Sequence, residues 1–235
     1  MKLLIDDANI EKIKEIYQYY LVDGVTTNPS ILSKQDQSPK NILGEIRKII
    51  GQDELHVQVL SKNSKDIIKE AKLIVKEFGE NTFVKIPSNK DGFKAMKELK
   101  KENIKVTATA IYSPMQAFLA MKAGARYVAP YVNRIDNLGY DGLYVVKKIQ
   151  NIIDSNQFET EILAASFKNS NQALDLIEYG VGALTCGVDV INKFVDDRNV
   201  DRAIEDFSKD FEKIDPNNKT MIDYLNQNRL LRVKS

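Results

Sequence analysis

A lysine interrupts an otherwise apolar stretch of the sequence at Phe83–Pro87. An ammonium ion is costly on either face of a buried strand. Two interpretations of Lys85 follow: an edge lysine whose charged end reaches water, or a buried lysine whose pKa falls through desolvation. A neutral amine attacks carbonyl groups and forms a Schiff base with them. The second interpretation therefore predicts covalent carbonyl chemistry at Lys85.

Other polar residues lie at or near the ends of short apolar runs, and several are two positions apart. Side chains with that spacing share one face of a strand. The candidates are Asp6, Thr26, Asn28, His56, Gln58, Thr107, Thr109, Tyr131 and Ser166. Each also has an ordinary explanation. Asp6 could cap the first helix, Asn28 could cap a helix that begins at Pro29, and Tyr131 could be a core tyrosine. His56 is most simply a hydrogen-bonded residue of the core or the mouth of the site.

Three further groups could hold a phosphate. Arg134, Ser166 and Lys168 supply a guanidinium, a hydroxyl and an ammonium group near two of these runs. Such donors bind phosphate oxygens well. The alternative is ordinary solvated surface charge. The sequence contains no glycine-rich phosphate loop of the P-loop or dinucleotide-binding kind.

The elements that must position these residues alternate along the chain. Eight β-rich runs are each followed by a segment of helical periodicity. The runs are 3–5, 24–27, 55–60, 82–86, 106–111, 127–132, 161–165 and 183–186. This order predicts an α/β fold, a single-domain (β/α)8 barrel, with a doubly wound open sheet as the competing topology. Barrel enzymes carry their active sites at the carboxyl ends of the strands, where the candidates would converge.

Composition limits the class of protein. The 235 residues carry 34 Lys and Arg against 33 Asp and Glu, which argues against a nucleic-acid partner. The lone Cys186 excludes an internal disulfide and, with the lone His56, cysteine-rich or two-histidine metal sites. No segment reaches the length of a membrane span, and the acidic Asp6 and Asp7 interrupt any signal-like run, so we expect no membrane partner and a cytoplasmic protein.

A further helix is predicted after the eighth strand, at about 199–213. Its apolar residues recur with helical spacing from Val200 to Ile214. The helix could close the bottom of the barrel or dock on a neighbouring subunit. The last residues, 226–235, are polar and basic and are expected to fray. No linker divides the chain, so residues 1–235 are predicted to form one domain.

Four motifs in this order give the chain a specific resemblance to a known family. They are Gly24–Ser30 (GVTTNPS), Val84–Pro87 (VKIP), Tyr127–Arg134 (YVAPYVNR) and Leu163–Lys168 (LAASFK). From about residue 3 to residue 213 the chain resembles the small transaldolase family, and within it the fructose-6-phosphate aldolases.

The resemblance implies a (β/α)8 barrel and a Schiff-base mechanism that uses neither a metal nor another cofactor. Lys85 matches the Schiff-base position. The substrate site is matched by Asp6, Thr26, Asn28, Thr109 and Ser166, and the phosphate site by Arg134, Ser166 and Lys168. The substrate would be a small sugar phosphate. A homo-oligomer is also implied, possibly a pentamer or a decamer.

Two positions distinguish activities within that family. Its transaldolases resemble one another in having Glu and Phe where this sequence has Gln58 and Tyr131. The resemblance therefore favours reversible cleavage of fructose 6-phosphate, with Tyr131, Asp6, Gln58 and Thr109 assisting Lys85. The alternative is a transaldolase that moves a dihydroxyacetone unit between sugar phosphates of the pentose phosphate pathway. The strand 8 segment Thr185–Asp189 and the longer C-terminal tail depart from the family pattern.

Overall fold

A computed structural model describes residues 1–214, 216 and 220–225 of the chain. Eight parallel strands form a closed barrel in the order β1-β2-β3-β4-β5-β6-β7-β8, and β1 pairs with β8. The strands are β1 Lys2–Asp6, β2 Gly24–Thr26, β3 Glu54–Gln58, β4 Thr82–Pro87, β5 Val106–Ile111, β6 Tyr127–Pro130, β7 Glu161–Ala164 and β8 Ala183–Cys186. The predicted (β/α)8 barrel is confirmed, and the open-sheet alternative is wrong.

Helices separate successive strands, and others follow β8. They are α1 Ile10–Tyr19, α2 Pro29–Leu32, α3 Pro39–Ile50, α4 Ser64–Phe78, α5 Lys90–Lys101, α6 Pro114–Ala123, α7 Val132–Asp136, α8 Gly142–Asn156, α9 Ser170–Tyr179, α10 Val188–Asn192 and α11 Arg198–Ile214. Most begin at an Asn, Ser or Asp whose side chain accepts a hydrogen bond from the first turn, as Asn9 does for α1 and Asn63 for α4. The polar residues between the apolar runs therefore help to fix where most of these helices start.

The strands carry two apolar faces. Outward side chains such as Val84 and Ile86 join the large core that packs against the helices. Inward side chains at the amino-terminal end of the barrel form a smaller cluster of Leu4, Phe83, Tyr127, Leu163 and Ala183. The interior is therefore filled at its lower end, and the polar candidates lie towards the carboxyl end.

A polar network adjoins this lower cluster. Lys2 pairs with Glu54 and donates to the Tyr127 hydroxyl at 3.1 Å. His56 lies fully buried, with Nε2 3.2 Å from Glu54 and Nδ1 2.9 Å from the Thr107 hydroxyl. Its ring stacks on Phe83, with 4.6 Å between centroids. His56 is thus a hydrogen-bonded core residue.

The chain divides into two compact units, one at Met1–Asn192 and one that begins at Lys193. The first holds the barrel and α1 to α10. The second holds α11, which lies at Arg198–Ile214, where a helix was predicted at about 199–213. Its apolar residues Val200, Ile204, Phe207 and Ile214 are exposed. The predicted tail, 226–235, lies outside the described residues.

No helix within the described residues is long and apolar enough to cross a membrane.

Candidate active site

Lys85 lies inside the barrel. Strand β4 turns Val84 and Ile86 outward to the helix layer, so Phe83 and Lys85 face inward. The side chain is only 5% exposed, and Nζ donates a hydrogen bond to the Thr27 carbonyl at 2.8 Å. Burial of the ammonium group lowers the pKa of Lys85, Asp6 opposes this effect and Arg134 adds to it. Of the two interpretations of this lysine, the structure supports the buried one.

Asp6 ends β1 and faces the same interior. The Thr26 hydroxyl donates to its Oδ1 at 2.6 Å. Burial raises the pKa of Asp6, while Lys85 and the Thr26 hydrogen bond oppose that rise. Asp6 does not cap α1, because Asn9 takes that place and Asp7 accepts from the backbone of Ala8 and Asn9. Asp6 is therefore available to the site.

Thr185 of β8 completes this side of the barrel. Its hydroxyl oxygen lies 2.8 Å from the Thr26 hydroxyl oxygen, and both residues are buried. Sequence reasoning did not assign Thr185 to the site. The available signal was a single hydroxyl in the otherwise apolar run Ala183–Cys186, the same kind of signal that Lys85 gives in β4.

Tyr131 and Thr109 meet on the opposite side. The phenol oxygen lies 2.7 Å from the Thr109 hydroxyl oxygen. Tyr131 was predicted to lie on the sixth strand, but β6 ends at Pro130, and Tyr131 forms an isolated bridge with Ala165 before α7 begins. The Tyr131 N–H still donates to the Ile111 carbonyl at 3.2 Å, and the strand ends here because the chain turns into α7 at Val132.

A bulge in β5 sets the position of Thr109. The pairing of β5 with β6 shifts between Ala108 and Ile111, and Ala110 has a left-handed φ of 56°. The Ser88 hydroxyl and backbone N–H both donate to the Thr109 carbonyl, at 2.9 and 3.0 Å. A bulge of this kind re-aims a side chain next to a functional site.

Gln58 and Asn28 lie at the ends of their strands. Gln58 ends β3 on the same face as His56 and is in register with Lys85. Asn28 follows β2 rather than belonging to it, and its Oδ1 caps α2 by accepting from the Ile31 N–H at 3.1 Å. The amide nitrogen of Asn28 is not used by the cap and can still donate a hydrogen bond.

The three phosphate candidates lie on neighbouring connections. Arg134 belongs to α7, and its guanidinium lies 4.6 Å from the centroid of the Tyr131 ring. Ser166 lies just beyond β7, with a left-handed φ of 65°. Its carbonyl accepts from the Asn133 N–H at 2.8 Å, which ties the two connections together. Lys168 is exposed, and only its backbone N–H has a hydrogen bond among the described residues, to Gln172.

Two other residues singled out in the sequence lie outside this group. Burial lowers the pKa of His56 to about 4, against the opposing effect of Glu54. Cys186 is buried and faces the outer core, and burial raises its pKa to about 12. In the described part of the chain, no group of three or more His, Cys, Asp or Glu side chains could hold a metal ion.

The fold and the site together are those of a (β/α)8-barrel enzyme with a buried amine at the carboxyl ends of its strands. The family described as Transaldolase/Fructose-6-phosphate aldolase matches residues 3–230. The chain belongs to this family, which confirms the resemblance drawn from the motifs. It is therefore an enzyme of the class I aldolase and transaldolase type.

Curated relatives match over nearly their whole length. A "Probable transaldolase" from Nitrosopumilus maritimus (strain SCM1) is 37% identical over 219 residues, which cover 93% of this chain and 98% of the relative. A "Probable transaldolase" from Methanococcus vannielii is 40% identical over 212 residues, with 90% and 98% covered. One from Thermoplasma volcanium is 37% identical over 225 residues, with 94% and 100% covered.

Proposed function

We propose that the protein is a Schiff-base aldolase that reversibly cleaves fructose 6-phosphate to dihydroxyacetone and glyceraldehyde 3-phosphate. The observation that carries this proposal is the phenol of Tyr131, which lies 2.7 Å from Thr109 at the end of the barrel where Lys85 is buried. A phenol can exchange protons with a reaction intermediate, and a phenylalanine at the same position cannot.

The reaction begins at Lys85. Its neutral amine adds to the C2 ketone of the sugar, and loss of water gives an iminium ion. A base removes the proton of the C4 hydroxyl, the C3–C4 bond breaks, and its electron pair moves to C3 to form an enamine as the iminium is neutralised. Glyceraldehyde 3-phosphate leaves with the new C4 carbonyl. Protonation of C3 and hydrolysis of the iminium then release dihydroxyacetone and restore the amine.

Proton transfer is assigned first to Tyr131, acting through a water molecule held with Gln58 and Thr109. Asp6 is the alternative base, and it also orients substrate hydroxyl groups together with Thr26 and Asn28. Burial supports a role for Asp6 in proton transfer, because it raises the pKa of this carboxyl group and so makes it a stronger base than an ordinary aspartate.

The phosphate is assigned to Arg134, Ser166 and Lys168. Arg134 already lies over the Tyr131 ring, so a phosphate bound there would be anchored beside the proton-transfer group. Binding of this remote group helps to hold the C3–C4 bond in position over Lys85.

Transaldolase activity is the second candidate, and the printed names of the relatives favour it. The two activities share every step up to the enamine. If the enamine is protonated and hydrolysed, the enzyme is an aldolase; if it persists until a second aldehyde captures it, the enzyme is a transferase. The fate of one proton at C3 therefore separates the two.

The test gives the purified protein fructose 6-phosphate alone and follows glyceraldehyde 3-phosphate, with erythrose 4-phosphate added to a parallel sample. Sustained release without an acceptor supports the aldolase. Turnover only with the acceptor, with formation of sedoheptulose 7-phosphate, supports the transaldolase and contradicts the use of Gln58 and Tyr131 as discriminators. Absence of any borohydride-trapped adduct on Lys85 contradicts both.

Self-association belongs to the same proposal. The exposed apolar residues of α11 support a homo-oligomer, because a row of such side chains is otherwise unfavourable in water. Size-exclusion chromatography coupled to light scattering distinguishes a pentamer or decamer from a monomer.

A further inference from the structure

Three hydroxyl and carboxyl groups form a row across three strands of the barrel. Thr185 of β8, Thr26 of β2 and Asp6 of β1 are joined by contacts of 2.8 Å and 2.6 Å. Thr26 is fully buried and Thr185 is 2% exposed. Strand β1 lies between β2 and β8, so the contact between Thr26 and Thr185 bridges the two strands on either side of Asp6.

The direction of this row follows from counting protons. A threonine hydroxyl has one proton to donate, and an ionised carboxylate can only accept. When Asp6 is ionised, Thr26 must give its single proton to Asp6 Oδ1. The proton between Thr26 and Thr185 must then come from Thr185. When Asp6 is neutral, its own proton can point to Thr26 and reverse the whole row.

We propose that Thr185 is a positioning residue that, by donating to Thr26, holds Asp6 in the ionised, oriented state that the reaction on Lys85 requires. Thr185 does not itself reach the reacting atoms. Buried hydrogen bonds in series polarise one another, so the donation from Thr185 strengthens the bond that Thr26 makes to the carboxylate. Hydrogen bonding to the charged form of an acid favours that form.

The catalytic consequence rests on the proposed function. The iminium formed on Lys85 is a cation inside a poorly hydrated barrel, and an ionised Asp6 stabilises it electrostatically. The other charged or titratable groups that act on Asp6 are Asp7, Arg134 and Cys186 besides Lys85. None of these is changed by a substitution at Thr185.

The first experiment titrates Asp6 directly and needs no substrate. Protein labelled with carboxyl-¹³C aspartate is followed by infrared difference spectroscopy against pH, and the Asp6 band is assigned by its loss in Asp6→Asn. Thr185→Val keeps the side-chain shape and removes the hydroxyl, while Thr185→Ser keeps the hydroxyl. Thr185→Ala serves as a second deletion if the valine variant does not fold.

The matched control is Thr160→Val. Thr160 is also buried and lies just before β7. Its hydroxyl donates one hydrogen bond of similar length, 2.7 Å to the Ala125 carbonyl, which the substitution removes. We expect the midpoint of the Asp6 titration to move to higher pH in Thr185→Val, with the ionisation constant lowered by a factor of about 1.3 to 5, because the lost polarisation weakens the bond from Thr26 to the carboxylate by only a fraction of its strength. Thr185→Ser and Thr160→Val should keep the wild-type midpoint. An unchanged midpoint in folded Thr185→Val overturns the proposal.

The second experiment measures cleavage of fructose 6-phosphate against pH. The acid limb of kcat should move to higher pH in Thr185→Val, with KM nearly unchanged, and return in Thr185→Ser. The two failures are distinguishable. If the Asp6 midpoint moves in Thr185→Val but the wild-type enzyme forms no Schiff base, the role of Thr185 at Asp6 stands and the proposed function is refuted. If the wild-type enzyme is active but Thr185→Val keeps both the Asp6 midpoint and the pH profile, the proposed function stands and the role of Thr185 is refuted.

Discussion

Replacing Tyr131 with phenylalanine removes one oxygen atom and keeps the ring. The ring contacts remain, since Tyr112 meets it edge-on at 5.7 Å and the Arg134 guanidinium lies 4.6 Å from its centroid. The only described hydrogen bond lost is the one to Thr109, at 2.7 Å. Loss of one such bond at a partly exposed site costs about 1 kcal/mol of stability, so the variant should stay folded.

The expected effect on aldolase turnover is much larger. A positioned acid or base contributes a factor of about 100 to 10,000 to a rate, which corresponds to roughly 3 to 5 kcal/mol of activation free energy. Release of glyceraldehyde 3-phosphate from fructose 6-phosphate alone should fall by that factor. Borohydride trapping of dihydroxyacetone on Lys85 should persist, because the amine is unchanged. Capture of the enamine by erythrose 4-phosphate should be affected less than hydrolysis.

The control for this variant is Tyr127→Phe. Tyr127 shares a face with Tyr131 but lies in the lower cluster, where its hydroxyl contacts Lys2 and Glu54. Removal of the Tyr127 hydroxyl should lower the stability of the protein and leave the turnover of fructose 6-phosphate nearly unchanged. Full aldolase activity in Tyr131→Phe would refute the assignment of proton transfer to the phenol and leave Asp6 as the base.

Three further predictions follow from the electrostatics of the barrel. Lys85→Met should abolish borohydride trapping. The variant should also be more stable than the wild type at neutral pH, because burial lowers the pKa of Lys85 from its ordinary 10.5. Denaturation curves should show this difference in the free energy of unfolding become smaller as the pH rises towards 10.5. Burial lowers the pKa of His56 from 6.5 to about 4. Between these two pH values the imidazole is protonated in the unfolded chain but not in the folded protein, so the free energy of unfolding falls as the pH is lowered. The free energy of unfolding should fall by roughly 3 kcal/mol between these limits, and an equal fall in His56→Gln would contradict the assignment. Arg134→Gln should raise KM for fructose 6-phosphate by about 10- to 100-fold, since it removes a charge-assisted bond to phosphate. Trapping of unphosphorylated dihydroxyacetone should change far less, through the small effect of Arg134 on the pKa of Lys85. An unaltered KM would place the phosphate elsewhere.

The alternation of apolar runs and helical segments was enough to predict the barrel. Each run is short and β-rich, most of the helices have a polar cap, many have an apolar stripe, and these local signals agree with one another. The types of the site residues were also visible, because a lysine or a carboxylate in an apolar run is costly without a purpose. Strand ends were less accurate: the run 127–132 includes Tyr131 although β6 ends at Pro130, and the run 55–60 continues past the end of β3 at Gln58.

The sequence could not decide which face of β4 carries Lys85. Both faces of a strand in a parallel barrel are buried, one against the helices and one in the interior, so periodicity does not distinguish them. Only the closed barrel places Val84 in the outer core and Lys85 in the interior with its amine on the Thr27 carbonyl.

Thr185 illustrates the same limit at longer range. It is 159 positions from Thr26, and neither residue carries a local signal of the other. Their hydroxyl groups meet because β8 closes the barrel onto β1. The sequence by itself determined the elements and the chemistry available to them, while the tertiary structure decided which groups share a hydrogen bond, since closure brings together strands from opposite ends of the barrel-forming chain.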